Sequence, residues 1–109
     1  MRHWDLRVHQ VEPHHPAILD SARGESRSVA LQLPAGEALQ DHQVHERAHL
    51  VVVDGEVEVS AGGPPTTGGP GAFYVFAAGE RHEVRARSDA RLLLVLAPWP
   101  GDGHPGARD

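Results

Sequence analysis

The sequence predicts one all-β domain built as an antiparallel barrel. Convincing helical periodicity is missing, short Val- and Leu-rich runs alternate between Gly and Pro punctuation, and 109 residues leave room for one core. Apolar residues make up 39% of the chain and are gathered into short runs, as a folded β domain requires and a disordered chain does not.

The elements follow in order. Trp4, Leu6 and Val8 alternate and predict a first strand, interrupted at Pro13 and Pro16. Val29, Leu31 and Leu33 predict a second that stops at Pro34-Ala35-Gly36. His49 to Val53, Asp54-Gly55 and Glu56 to Val59 predict a hairpin with a type I′ turn, because Asp and Gly tolerate the positive φ such a turn needs. Ala61 to Pro70 is too rich in Gly and Pro for strand or helix and predicts a loop. Gly71 to Phe76 resumes as a strand, Ala77 to Glu80 turns, and His82 to Ala86 is extended again. Leu92 to Ala97 is the last strand, apolar enough to be covered on both faces. The expected organisation is a barrel over 1–97 and a flexible polar tail over 98–109.

Composition narrows the function. With no cysteine, a disulfide framework and thiolate metal sites are excluded, and only nitrogen and oxygen remain as ligand atoms. The N-terminal Met1 to Asp5 carries no signal-peptide core, and Leu92 to Ala97 is far too short to span a bilayer, so the expectation is a cytoplasmic protein without a membrane partner. A net charge of -5 and the absence of lysine argue against nucleic acid, which needs a clustered cationic excess.

The chain holds nine histidines. His3, His9, His14, His15 and His104 lie in terminal or Pro-rich stretches, where a solvated imidazole needs no explanation. His42, His45, His49 and His82 instead stand at strand ends beside turns, positions that antiparallel pairing gathers across a barrel mouth.

Here the sequence resembles the cupins. Their first motif runs Gly, five residues, His-any-His, three or four residues, Glu, six residues, Gly; Gly36, His42 and the Asp54-Gly55 turn match it. Their second runs Gly, five residues, Pro-any-Gly, two residues, His, three residues, Asn; Gly71, Gly79 and His82 match, while Ala77 replaces the Pro and Ala86 the Asn. The resemblance spans about Leu31 to Leu96 and implies a double-stranded β-helix, or jelly-roll barrel. It also implies a metal site, but Val44 occupies the second His position and Ala48 the Glu position. A shifted register brings in His45 and His49, which keep the three-residue spacing of the second His and the carboxylate; it needs a bulge after His42. The candidate ligands are therefore His42, His45, His49 and His82. Imidazoles suit a divalent transition metal (iron, manganese, nickel, copper or zinc) rather than calcium or magnesium. Glu46 is a candidate acid or base beside such a metal, or a solvated turn residue.

Two functions follow from the resemblance. One is a metal-dependent cupin, an oxygenase or isomerase of a small molecule; the other is a metal-free cupin that binds a small molecule without chemistry. Val44 and Ala48 favour the second, while His45 and His49 favour the first, which is the expectation adopted. A homodimer is also expected, because consecutive apolar residues in Leu92 to Ala97 cannot all face one interior when side chains alternate.

Overall fold

The computed structural model describes residues 1–42 and 44–105, the side chains of 40–42 excepted. Its strands are β1 (Ala17–Ala22), β2 (Ser26–Leu33), β3 (Ala38–His42), β4 (Arg47–Asp54), β5 (Val57–Ser60), β6 (Thr66–Gly68), β7 (Phe73–Phe76), β8 (His82–Ala86) and β9 (Ala90–Ala97). Among the described residues there is no α-helix, and no helix is long and apolar enough to cross a membrane.

The strands form two sheets, one in the order β1-β2-β9-β4-β7 and the other β3-β8-β5-β6. The pairings within them are antiparallel, the arrangement of a double-stranded β-helix. Alternation fills the space between the sheets. Ala48, Leu50 and Val52 of β4 point inward and meet Val57 and Val59 of β5, with Leu92, Val84 and Ala86 completing the core. Each buried Val or Leu stabilises such a core by about 1.5–3 kcal/mol relative to exposure.

Four sequence expectations are corrected. The Asp54-Gly55 turn does not close a hairpin: β4 lies between β9 and β7, while β5 pairs with β6 and β8 in the other sheet. Gly55 has a φ of 84°, but Asp54 is not in the left-handed region, so a type I′ turn is not formed and the chain crosses between sheets instead. A Cβ on Gly55 would stand 2.2 Å from the carbonyl oxygen of Asp89, which is why glycine is required at this corner.

Trp4 to Val8 is not a strand. The Asp5 carboxylate accepts the Arg7 amide at 3.1 Å, and the Asp5 carbonyl accepts the amides of Val8 at 3.2 Å and His9 at 2.9 Å, winding the segment into a turn. Arg91 Nη1 donates to the His9 carbonyl at 2.6 Å, and Trp4 and Leu6 border Leu19, Ser28 and Leu93 on the outer side of the larger sheet. The Gly- and Pro-rich stretch contains β6, which pairs Thr66 with Val59 and Gly68 with Val57.

The segment after β9 is packed rather than frayed as far as it is described. Gly24 donates to the Trp99 carbonyl at 2.6 Å, Arg27 lies 4.0 Å above the Trp99 ring, and Gly101 is buried. Residues 106–109 of the expected tail lie outside the described residues.

The two outer faces differ. On the smaller sheet Arg87 reaches Glu58 at 2.5 Å and Glu56 at 3.2 Å, and Arg85 reaches Glu83 at 3.5 Å. On the larger sheet the ladders align Val95, His49 and Val75 in one row and Leu93, Val51 and Phe73 in the next.

Candidate functional site

The site is built around His82, the first residue of β8. The preceding turn is drawn tight where Glu80 donates its amide to Ala77 at 3.0 Å and accepts the Ala77 amide on Oε1 at 2.9 Å. Gly79, at a φ of 78°, donates to the Val44 carbonyl at 2.8 Å and ties this turn to the segment between β3 and β4. These constraints deliver His82 into the barrel wall with 6% of its surface exposed.

The imidazole is held on two sides. It stacks on Phe76 with ring centres 3.9 Å apart and planes 9° from parallel. Its Nδ1 lies 3.1 Å from the Glu80 carbonyl oxygen, which can only accept, so Nδ1 carries the proton and a neutral ring keeps its lone pair on Nε2.

A cavity of about 250 Å³ lies beside this ring, lined by Pro16, Val29, Leu31, Leu39, Leu50, Phe76, Val84, Leu94 and His82. Among the described residues His82 is the one polar side chain in that lining. It also borders a surface groove with Ser60, Gly62, Arg81 and Glu83, so it stands between the apolar interior and the outside. Pro16 closes the cavity from an irregular segment that His14 fastens to Glu37, Nε2 to Oε1, at 2.6 Å.

The other expected ligands are placed as follows. His42 is the direct Cα partner of His82 across the β3–β8 ladder, after an irregularity between Leu39 and His42; its side chain lies outside the described residues. His49 does not face the cavity. β4 keeps an unbroken register from Arg47 to Val52 against β9, so Ala48 and Leu50 take the inside and His49 the outside, where it stacks on Phe73 at 5.9 Å. His45 is exposed in the turn before β4, its ring 5.6 Å from that of His104. Among the described residues neither His45 nor His49 joins His82 at the cavity, and the bulge expected after His42 falls at Gln43, outside the described residues.

Among the described residues the donors that the cupin resemblance implies are not gathered around His82. Val44 packs against the hydrophobic core and Ala48 is fully buried in it, both where the resemblance places ligands. Among the described residues no three His, Asp or Glu side chains form a group able to hold an ion. Glu46 is not in the cavity lining either: 1% exposed, it accepts the Gly101 amide on Oε2 at 2.7 Å and clamps the C-terminal segment.

Sequence reasoning missed the apolar wall, above all Pro16 and Leu39. The Pro-rich interruption was its only signal, and nothing in it says which cavity the proline closes.

A family model described as a cupin domain matches residues 30–97. Among solved structures, an RmlC-like cupin protein from Desulfovibrio desulfuricans superposes with a TM-score of 0.79 at 24% identity, covering 90% of this chain and 97% of that one. The TT1209 protein from Thermus thermophilus gives a TM-score of 0.74 at 28% identity, covering 90% and 98%. The DMSP lyase DddQ from Ruegeria pomeroyi gives 0.63 at 24% identity, but the match covers 67% of this chain and only 38% of that one, a likeness of fold. A search of curated proteins finds no match.

Proposed function

The chain belongs to the cupin domain family, and on that premise we propose that it binds a compact, largely apolar organic molecule in the barrel, with one polar group of the ligand set against His82. The observation that carries this reading is that, among the described residues, a single imidazole stands in an otherwise apolar cavity of about 250 Å³. A cavity of this kind is the usual form of a small-molecule site, where the apolar walls supply affinity and a few polar atoms supply orientation.

The test compares two probes of one shape, p-cresol and toluene, by thermal shift and calorimetry. Both raise the melting temperature as ligands of the native state do. p-Cresol binds more tightly, and His82→Phe abolishes that preference while toluene still binds. Absence of saturable binding by either probe would overturn the reading.

A second reading is favoured by the His42–His82 pairing. Two imidazoles on neighbouring strands could hold a divalent transition metal whose remaining positions are filled by solvent or ligand, with an oxygenase or isomerase activity following from Lewis acidity or redox chemistry. Stoichiometric iron, manganese, nickel, copper or zinc in the untagged protein, lost in His82→Gln, would select it.

We also propose a homodimer in which the outer face of β9, β4 and β7 packs against the same face of a second copy. Phe73 and Val75 are 59% and 41% exposed there, beside Val51 and Val95, whereas the other sheet presents ion pairs. Like sheet faces of this kind pack aligned at about 30° and make a self-complementary two-fold contact.

A further inference from the structure

The barrel cavity shares a wall with a second, smaller space. About 100 Å³ lies under residues 12–16, between Glu12, His14 and Pro16 of that segment and Leu31, Leu33 and Leu39 of β2 and β3. Pro16, Leu31 and Leu39 also line the barrel cavity, so these three side chains border both spaces. The segment covers apolar surface without filling the space beneath it, and it loses little packing if it lifts.

Its backbone has one joint. The His15 amide donates to the Glu12 carbonyl at 3.2 Å, and His14 stands at a φ of 66°. With Pro13 at the second position this is the pattern of a type II turn, whose third position ordinarily calls for glycine. Glu12 and His15 each precede a proline, which confines them to extended backbone, and the prolines fix their own φ. The freedom is left at His14, whose left-handed conformation a residue with a Cβ rarely adopts. What holds it there is its side chain, which donates from Nε2 to Glu37 Oε1 at 2.6 Å. Glu37 itself belongs to the body of the barrel: its amide donates to the Pro34 carbonyl at 3.0 Å, and its carbonyl accepts the Ala86 amide at 2.9 Å. The two side chains are 70% and 43% exposed, so their bond competes with water and is weak enough to part.

We propose that residues 12–16 form a gate on the barrel cavity, latched by His14 on Glu37, through which the organic guest enters and leaves; this rests on the cavity reading given above. When the pair parts, the turn relaxes about His14 and Pro16 withdraws from the cavity wall. Opening then limits entry and exit alike. Weakening the latch speeds both by one factor and leaves the affinity as it was, because neither His14 nor Glu37 lines the barrel cavity.

The experiment follows the fluorine NMR signal of 4-fluorophenol exchanging on and off the untagged full chain. Glu37→Ala and His14→Ala each raise the association and dissociation rates together, by about two- to fivefold, the range an exposed ion pair supplies. The dissociation constant stays unchanged. The double variant exchanges no faster than His14→Ala alone, because Glu37 acts through His14. His15→Ala, on the same segment but lining neither space, leaves the rates as they are. Bound 4-fluorophenol whose rates neither latch variant moves overturns the gate and leaves the cavity reading standing. If 4-fluorophenol does not bind, the cavity reading fails and the gate is judged in the ligand-free chain. There, relaxation dispersion of the Leu31 and Leu39 methyl groups should report an opening that Glu37→Ala makes more frequent, and flat profiles in both chains overturn it.

Discussion

Ala48 and Phe76 stand opposite each other across the β4–β7 ladder, both buried, at 0% and 4% exposure. Phe76 stacks on His82, so the position from which a cupin carboxylate would reach the imidazole presents a methyl group toward an aromatic wall. Ala48→Glu is expected to lower stability in urea by about 2 kcal/mol or more, since it buries a carboxyl without a partner. Adding Val44→His to it should make Ni²⁺ or Zn²⁺ raise the melting temperature. Full stability of Ala48→Glu alone would show that this wall is wetter than its packing indicates.

Glu46 governs the C-terminal segment rather than the cavity. Glu46→Ala leaves the buried Gly101 amide without its acceptor, at a cost of about 1.5–3 kcal/mol for a charge-assisted hydrogen bond. Hydrogen exchange checks it: amides from Trp99 to His104 should exchange faster while those of β8 stay protected. Uniform acceleration across both regions would contradict a local clamp.

The proposed dimer predicts a mass in light scattering of about twice 11.8 kDa at micromolar concentration. Phe73→Asp and Val51→Lys place charge on the shared face and should give a folded monomer. Glu58→Lys or Glu83→Lys, a charge change on the opposite sheet, should leave the mass unchanged. A monomeric parent chain would remove the dimer as the resting state.

Asp5 supplies a pH marker for the N-terminal turn. Its hydrogen bond from the Arg7 side chain, helped by the Arg7 amide, lowers its pKa from 3.8 to about 2. Because the folded value is depressed, the stabilisation is present above pH 3.8 and fades as pH falls toward 2. A carbon NMR titration of the Asp5 carboxyl should show the low midpoint, and Arg7→Ala should return it to the ordinary range. An ordinary midpoint in the unmodified chain would mean that the turn is not held this way in solution.

The β content and the placing of His82 were legible because they rest on local signals: period-two alternation in Val57 and Val59, and glycines at Gly71 and Gly79 before a histidine. The partnering of strands was not. Asp54-Gly55 has hairpin chemistry, yet whether β5 folds back on β4 depends on β9 and β7 already flanking β4, and these lie far away in sequence. Histidine spacing likewise allowed two registers, and only the unbroken β4–β9 ladder decides that His49 turns outward. Trp4, Leu6 and Val8 alternate as a strand would, but the Asp5 side chain competes for the backbone and wins.

The alternation of β4 has a thermodynamic corollary. Leu50 forms part of the cavity wall, and its chain neighbours His49 and Val51 belong to the face of the proposed dimer contact. One peptide plane separates the two environments, a short covalent route by which a displacement of Leu50 can reach Val51. Reciprocity then requires that whatever occupancy does to self-association, self-association does to occupancy by the same factor.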